Sequence, residues 1–184
     1  MAILSDEMRR LALICLSVAA LAAPAAAWAL RSSPTDGTLV VRAGSAPDGV
    51  PLVTLVIKGT VIGHVSSGSP DVDDVVVIDD LNGTGEFNAS TVGTAFLSKK
   101  NVTSTRTKYV GSDFRFRAVE DNYYKVTIYG SGVNLFAVGQ GRVTLQGMPD
   151  SAVKDGQYSL NGQDFRSLPA LPTAWLAIST TPIG

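Results

Sequence analysis

His64 is the single histidine of the chain and therefore the first residue to consider for nucleophilic catalysis. A serine hydrolase needs a nucleophile on a constrained turn and a base that a third group orients. The chain contains no Gly-x-Ser-x-Gly or His-Glu-x-x-His sequence, and His64 lies in a segment rich in valine and glycine. We therefore interpret His64 as a structural residue and predict no catalytic residue.

An oxygen-rich segment that begins at Asp80 resembles the opening of a calcium-binding loop. Asp80, Asn82, Thr84 and Asn88 occupy loop positions one, three, five and nine, and a glycine occupies position six. Thr91 stands at position twelve, where such loops carry a bidentate carboxylate. The alternative is an Asn-Gly turn after a strand. Calcium is the one cofactor for which the sequence offers a candidate site.

Tyrosines and arginines in the second half of the chain form a candidate ligand surface, made of Tyr123, Tyr129, Arg115 and Arg117. Tyrosine rings combine an apolar face with a polar tip and suit stacking on sugars, although cross-strand packing explains them equally well. The formal net charge of the chain is −1, which argues against nucleic acid. The predicted partner is an envelope polysaccharide or another polyanion.

Charge is unevenly distributed along the chain. The segment between Lys58 and Lys99 contains only acidic charged residues, and basic residues dominate from Lys99 to Arg117. Opposite charges on neighbouring strands stabilise their pairing. We therefore expect the two segments to face each other.

Short runs rich in valine, isoleucine and threonine, separated by glycine, proline, serine or aspartate, predict strands. They span residues 38–43, 52–58, 60–66, 75–79, 133–138 and 142–145. Phe114–Arg117 and Tyr123–Tyr129 alternate between apolar and polar side chains, which indicates strands with one buried face. Asp121 and Asn122 predict a turn that joins Asp113–Glu120 to Tyr123–Tyr129 as a hairpin.

These strands predict an all-β fold, a single antiparallel sandwich or a small barrel. The alternative is a β-solenoid, which the spacing of Gly59 and Gly63 suggests but which no sustained repeat supports. Pro169, Pro172 and Pro182 predict an extended C-terminal strap, in which residues 175–178 form an edge strand.

The N-terminal segment reads as an export signal. No charged residue occurs from Leu11 to Leu30, and Ala27-Trp28-Ala29 suits a signal peptidase after the helix-ending Pro24. We predict a signal peptide over residues 1–29, cleaved after Ala29, followed by an all-β domain over residues 30–184. Cleavage also removes Cys15, the only cysteine. The alternative is an uncleaved anchor, because about 20 apolar residues span a bilayer core.

Two parts of the chain resemble uncharacterised exported proteins of actinobacteria. The first is the glycine-punctuated stretch Gly130–Gly147, followed by Asp155–Ser159 and Leu168-Pro169; the second comprises Gly37–Val41 and Ile57–Gly63. The resemblance covers most of the mature chain. It implies export and an all-β fold and supplies no site residues.

The sequence therefore predicts a secreted or envelope-associated, non-enzymatic β-domain with a binding or structural role. The anchor alternative would hold this domain at the membrane through residues 11–30. A hydrolase of envelope polysaccharide remains an alternative. Such an enzyme needs only two carboxylates, and these need not lie within a recognisable sequence motif. The third functional hypothesis is a self-assembling scaffold component.

Overall fold

The computed structural model describes residues 33–66, 74–82, 88–93, 98–103, 105–149 and 155–180. The chain divides into two units, Met1–Arg31 and Ser32–Gly184, and every described residue belongs to the second. The predicted signal or anchor, Cys15 and the cleavage position Ala29 lie outside the described residues. Within the described ranges, no helix has the length and apolar character needed to cross a membrane.

The described residues form eleven strands of one antiparallel sheet. Their bounds are β1 (Gly37–Gly44), β2 (Val53–Ser66), β3 (Asp74–Asp80), β4 (Asn88–Gly93), β5 (Ser98–Thr103), β6 (Arg106–Gly111), β7 (Asp113–Tyr129), β8 (Val133–Leu145), β9 (Gln157–Leu160), β10 (Arg166–Ser167) and β11 (Leu176–Ile178). The strand order is β10-β9-β1-β8-β2-β7-β3-β6-β5, while β11 pairs with β8 and β4 with β7.

The prediction of an all-β, antiparallel fold is confirmed. Among the described strands, β10 and β5 end the order without pairing to each other, so the sheet is not closed into a barrel. All pairings among these described strands are antiparallel, which differs from the parallel stacking of a β-helix.

Three long strands, β2, β7 and β8, form the middle of the sheet. All three depart from regular strand geometry at the same position along their length. Gly59 of β2 lies opposite Gly139 of β8, with φ angles of +142° and +150°. On the other side of β2, Lys58 lies opposite three residues of β7, Asp121–Tyr123, because the register shifts between Ile57 and Gly59. We call Gly59, Gly139 and Asp121–Tyr123 the bend.

Glycine is required at two positions of the bend, because the strands approach each other closely there. A Cβ atom on Gly59 would lie 2.2 Å from the carbonyl oxygen of Val138. A Cβ atom on Gly139 would lie 2.1 Å from the carbonyl oxygen of Lys58. Both φ angles also fall where residues with a side chain are strained.

The bend corrects two predictions about strand ends. The strands predicted over residues 52–58 and 60–66 form the single strand β2, which begins at Val53, and those predicted over 133–138 and 142–145 form the single strand β8. The predicted hairpin at Asp121 and Asn122 is wrong, because β7 continues through these residues. Both parts of β7 pair with β2, so the extra residues form a bulge instead of reversing the chain.

One apolar cluster fills the interior, and residues from both sides of the bend contribute to it. Along β2, Leu55, Ile57, Val61 and Val65 are each 0% exposed, so the inward face of the strand continues across the bend. The core is thus enclosed by one bent sheet. The predicted alternation in β7 is confirmed for Phe114, Phe116 and Ala118 and for Tyr124, Val126 and Ile128, which are all buried. Thr127, expected on the polar face, is buried as well.

The expectation that the acidic and basic segments face each other is confirmed for β3 and β6. These strands pair along their lengths, and Asp79 lies opposite Arg106. The guanidinium group of Arg106 donates two hydrogen bonds to the carboxylate of Asp79, and this contact raises the pKa of Arg106. The charge asymmetry in this part of the chain therefore serves strand pairing.

The C-terminal strap closes on β8, as predicted. Strand β11 pairs with β8 over residues 141–143, beside the end of β1. The side chain of Asn161 joins these elements, because its Oδ1 accepts from the Thr38 amide and its Nδ2 donates to the Ala177 carbonyl oxygen.

Two of the five tyrosines should resist ionisation until the domain unfolds. Burial raises the pKa of Tyr109 and of Tyr124, and the nearby Glu120 carboxylate adds to the effect on Tyr124. The phenol of an unfolded tyrosine ionises near pH 10, whereas the raised pKa of these two keeps them protonated to higher pH in the folded state. The unfolded state therefore loses protons first, and the free energy of unfolding should fall as the pH rises above about 10.

Urea unfolding at pH 8 and pH 11, with phenolate absorbance as a second signal, measures this dependence. The Tyr124 hydroxyl lies 3.1 Å from the Gly59 carbonyl oxygen and 3.2 Å from that of Ala118, and it can donate to either. Tyr124→Phe should therefore cost about 1 kcal/mol at pH 8. The same substitution should reduce the loss of stability between pH 8 and pH 11. Tyr123→Phe, at an exposed ring, is the control, and equal behaviour of the two variants would contradict the prediction.

Candidate ligand-binding surface

A shallow depression of about 380 Å³ lies on the outer face of β1, β8, β2 and β7. This part of the sheet lies on one side of the bend, where β1 flanks β8. The described residues that line the depression include two arginines and the histidine, and none of them is a carboxylate. The depression is therefore a candidate site for an anion.

Polar side chains form one row across the four strands. His64 of β2 lies opposite Asn134 of β8 on one side and Arg115 of β7 on the other. Arg42 of β1 continues the row beyond Asn134, at an irregularity in the pairing of β1 with β8. We call Arg42, Asn134, His64 and Arg115 the polar row.

A second row lies next to the first, two residues away along each strand. Ile62 of β2 faces Phe136 of β8, and Phe136 faces Val40 of β1. Ile62 is 38% exposed, and Val40 and Phe136 are half-buried. Arg117 of β7 lies opposite Ile62 and ends the row with a positive charge. We call Val40, Phe136 and Ile62 the apolar row, and the two rows with Arg117 the outer-face patch.

His64 carries a hydrogen bond to a carboxylate at the edge of this patch. Its Nε2 lies 2.7 Å from Oδ1 of Asp113, and the His64 side chain is 35% exposed. Because an ionised carboxylate only accepts hydrogen bonds, Nε2 carries the proton and donates it. The imidazole is therefore held in one orientation on the outer face of the sheet.

Two other members of the polar row are also held in place. The Arg42 guanidinium lies 4.1 Å from the centre of the Phe165 ring, a cation–π contact that limits the motion of the long side chain. Asn134 Oδ1 accepts from the Ala43 amide and Nδ2 donates to the Gly132 carbonyl oxygen. Asn134 is therefore occupied with the backbone, whereas Arg42 presents an exposed charge.

The structure brings together only part of the ligand surface predicted from the sequence. Arg115 and Arg117 are exposed neighbours on the outer face. Tyr123 lies at the bend and is 46% exposed, and Tyr129 lies at the far end of β7, opposite Val75 of β3. The two tyrosines therefore do not join the arginines in one surface, because β7 is one long strand and its hairpin does not exist.

The candidate calcium residues begin at a turn that follows β3. Asp80 Oδ1 accepts from the Asn82 amide at 2.8 Å, and Asn82 Nδ2 donates to the Tyr123 carbonyl oxygen at 3.1 Å. Thr84 lies outside the described residues, and Asn88 begins β4. Within the described ranges no group of three or more metal-ligating side chains occurs. The hydrogen bonds of Asp80 and Asn82 fix the turn to the bulge of β7.

Sequence reasoning missed Arg42, Ile62, Asp113, Asn134 and Phe136. A signal for two of them was present, because Ile62 and Phe136 are large apolar residues at outward positions of strands whose inward positions are already apolar. Arg42, Asn134 and Asp113 join the surface only through pairing between distant segments, which no local pattern indicates.

Comparison of the chain with protein-family models, with curated proteins and with solved structures finds no match.

Proposed function

We propose that the chain is an exported, non-enzymatic β-domain whose outer-face patch binds a polyanion of the cell envelope. One observation carries the proposal. Arg42, His64 and Arg115 line the same depression, and its described lining contains no carboxylate. Export rests on the apolar N-terminal segment and its Ala27-Trp28-Ala29 site, as argued from the sequence.

The chemistry of arginine supports an anionic ligand. Its planar guanidinium donates paired hydrogen bonds to carboxylate, phosphate or sulfate groups and keeps its charge at every physiological pH. The outer-face patch has three arginines, and the acid at its edge, Asp113, is hydrogen bonded to His64. The patch therefore presents three arginine charges to a ligand, against the single carboxylate of Asp113 at its edge, which is oriented towards His64.

Binding is better supported than hydrolysis. A carboxylate-based glycoside hydrolase places two carboxyl groups on opposite sides of the scissile bond, about 5 to 10 Å apart. The described residues that line the depression include neither of the two carboxyl groups that such an enzyme needs.

The test is the affinity of the purified chain for a polyanion, with polygalacturonate as the probe and neutral dextran as the comparison. We expect calorimetry to detect polygalacturonate binding that weakens as salt is raised, because exposed charges are screened. The double variant Arg115→Gln, Arg117→Gln should lower the affinity at least about tenfold, through the loss of two charged hydrogen-bond donors.

The matched control is the double variant Lys58→Gln, Arg142→Gln. It removes two exposed cations from β2 and β8 that lie outside the outer-face patch. If both double variants lose affinity equally, binding follows net charge and the patch is not the site. If the unchanged chain binds dextran as well as polygalacturonate, or binds neither, the proposed function fails.

A further inference from the structure

The outer-face patch has an apolar side as well as a charged one, which a simple anion does not need. The apolar row lies beside the polar row, and consecutive outward residues of a strand are about 7 Å apart. Ile62 is exposed and Val40 and Phe136 are half-buried, so the apolar row offers a ligand apolar surface directly beside the charged groups. The ligand that covers the patch should therefore be amphipathic.

We infer that the ligand is an acidic sugar chain of several units that lies across the strands, an inference that rests on the proposed function. A pyranose ring presents C–H groups that pack on Val40, Phe136 and Ile62. Its ring substituents carry carboxylate or sulfate groups that reach the polar row. A polyphosphate carries comparable charge but has no apolar face, so it leaves the apolar row uncovered.

The direction and length of the ligand follow from the register. The polar row runs across β1, β8, β2 and β7, and the apolar row runs beside it across β1, β8 and β2, so a chain laid across the strands contacts both rows at once. The backbones of Arg42 and Arg115 are three strand spacings apart, about 14 Å. A single sugar ring does not cover this span. An oligomer with several acidic units places charges at both ends and apolar ring faces between them.

The fixed positions of the polar groups favour such a chain over a flexible polyanion. Arg42 is held by the Phe165 ring, and His64 is held by Asp113. Groups that are already ordered lose less conformational entropy when they bind a stiff ligand. The patch is therefore suited to an extended chain with acids at fixed spacing.

The experiment compares hexagalacturonate, monomeric galacturonate and a hexaphosphate on the full chain at one ionic strength. We expect the hexamer to bind at least about tenfold more tightly than the monomer and than the hexaphosphate, since it alone covers both rows. This comparison needs no variant. Equal or tighter binding of the hexaphosphate would overturn the inference while leaving the polyanion proposal standing.

A double variant tests whether the apolar row causes the preference for hexagalacturonate. The double substitution Ile62→Thr, Phe136→Thr places threonine, a residue that favours strands, at both positions and removes most of the apolar surface. Hexagalacturonate affinity should fall at least about tenfold, while hexaphosphate affinity should change by less than about twofold. Val56→Thr, outward on β2 on the other side of the bend, is the control. Equal loss for both ligands would overturn the inference, and absence of binding to every probe would overturn the proposed function as well.

Discussion

Replacing Gly59 or Gly139 with alanine should destabilise the domain by roughly 3 to 5 kcal/mol, because backbone strain and overpacking act together. The added methyl group would lie 2.2 Å or 2.1 Å from a carbonyl oxygen of the opposite strand. These atoms belong to the paired backbones of β2 and β8, which cannot move apart without losing hydrogen bonds. Since a domain of this size has a total stability of about 5 to 15 kcal/mol, one methyl group should remove a large part of it.

Urea unfolding followed by intrinsic fluorescence measures this loss, and Gly162→Ala is the matched control. Gly162 also has a positive φ, +77°, but no atom lies within 4 Å of an added Cβ. The control should therefore lose only about 1 kcal/mol, from the strained φ alone. If Gly59→Ala unfolds at the same urea concentration as Gly162→Ala, close packing at the bend is not what requires glycine.

Asp74→Ala should cost about 2 to 3 kcal/mol, because it removes a buried acceptor and leaves a backbone donor unpaired. Asp74 is 0% exposed, and its Oδ1 accepts from the Ser131 amide at 3.1 Å. Ser131 lies in the turn between β7 and β8, and the carboxylate also lies directly against Gly130. The acid at the start of β3 thus fixes a turn between two other strands.

Asp74→Asn is the informative companion, because it keeps an oxygen at the position of Oδ1 and should recover part of the loss. Asp121→Ala, at an exposed acid of the bend, should change the free energy of unfolding by less than about 0.5 kcal/mol. Urea unfolding at pH 7 compares the three variants. Equal losses for Asp74→Ala and Asp74→Asn would mean that charge, and not the hydrogen bond to Ser131, is what matters.

The inward faces of the strands were predictable from the sequence, because alternation is a local property. Phe114 and Phe116 are buried and Arg115 and Arg117 are exposed, as a period of two requires. Strand ends were less predictable. The pair Asp121-Asn122 favours a turn locally. However, the parts of β7 before and after this pair both pair with β2, which keeps β7 a single strand. Tertiary pairing overrode turn propensity at that point.

The same distinction separates the two parts of the candidate site. Arg115 and Arg117 share a face by local alternation, so their proximity was predictable. Arg42 and His64 join them only because β1 and β2 both pair with β8. Sequence patterns carry no information on such pairing between distant segments. For that reason Tyr123 and Tyr129 were grouped with the arginines, although the fold places them elsewhere.

The strand order has a consequence for how the domain reaches its folded state. Strand β1 pairs with β8 and β9, the nearer of which begins only at Val133. During synthesis, strand β1 therefore cannot form its strand pairings until most of the chain has been made. Sheets dominated by such distant pairings fold slowly, in the range of milliseconds to seconds. Since β2, β7 and β8 each run through both sides of the bend, the two sides should also form and melt together, as one cooperative unit.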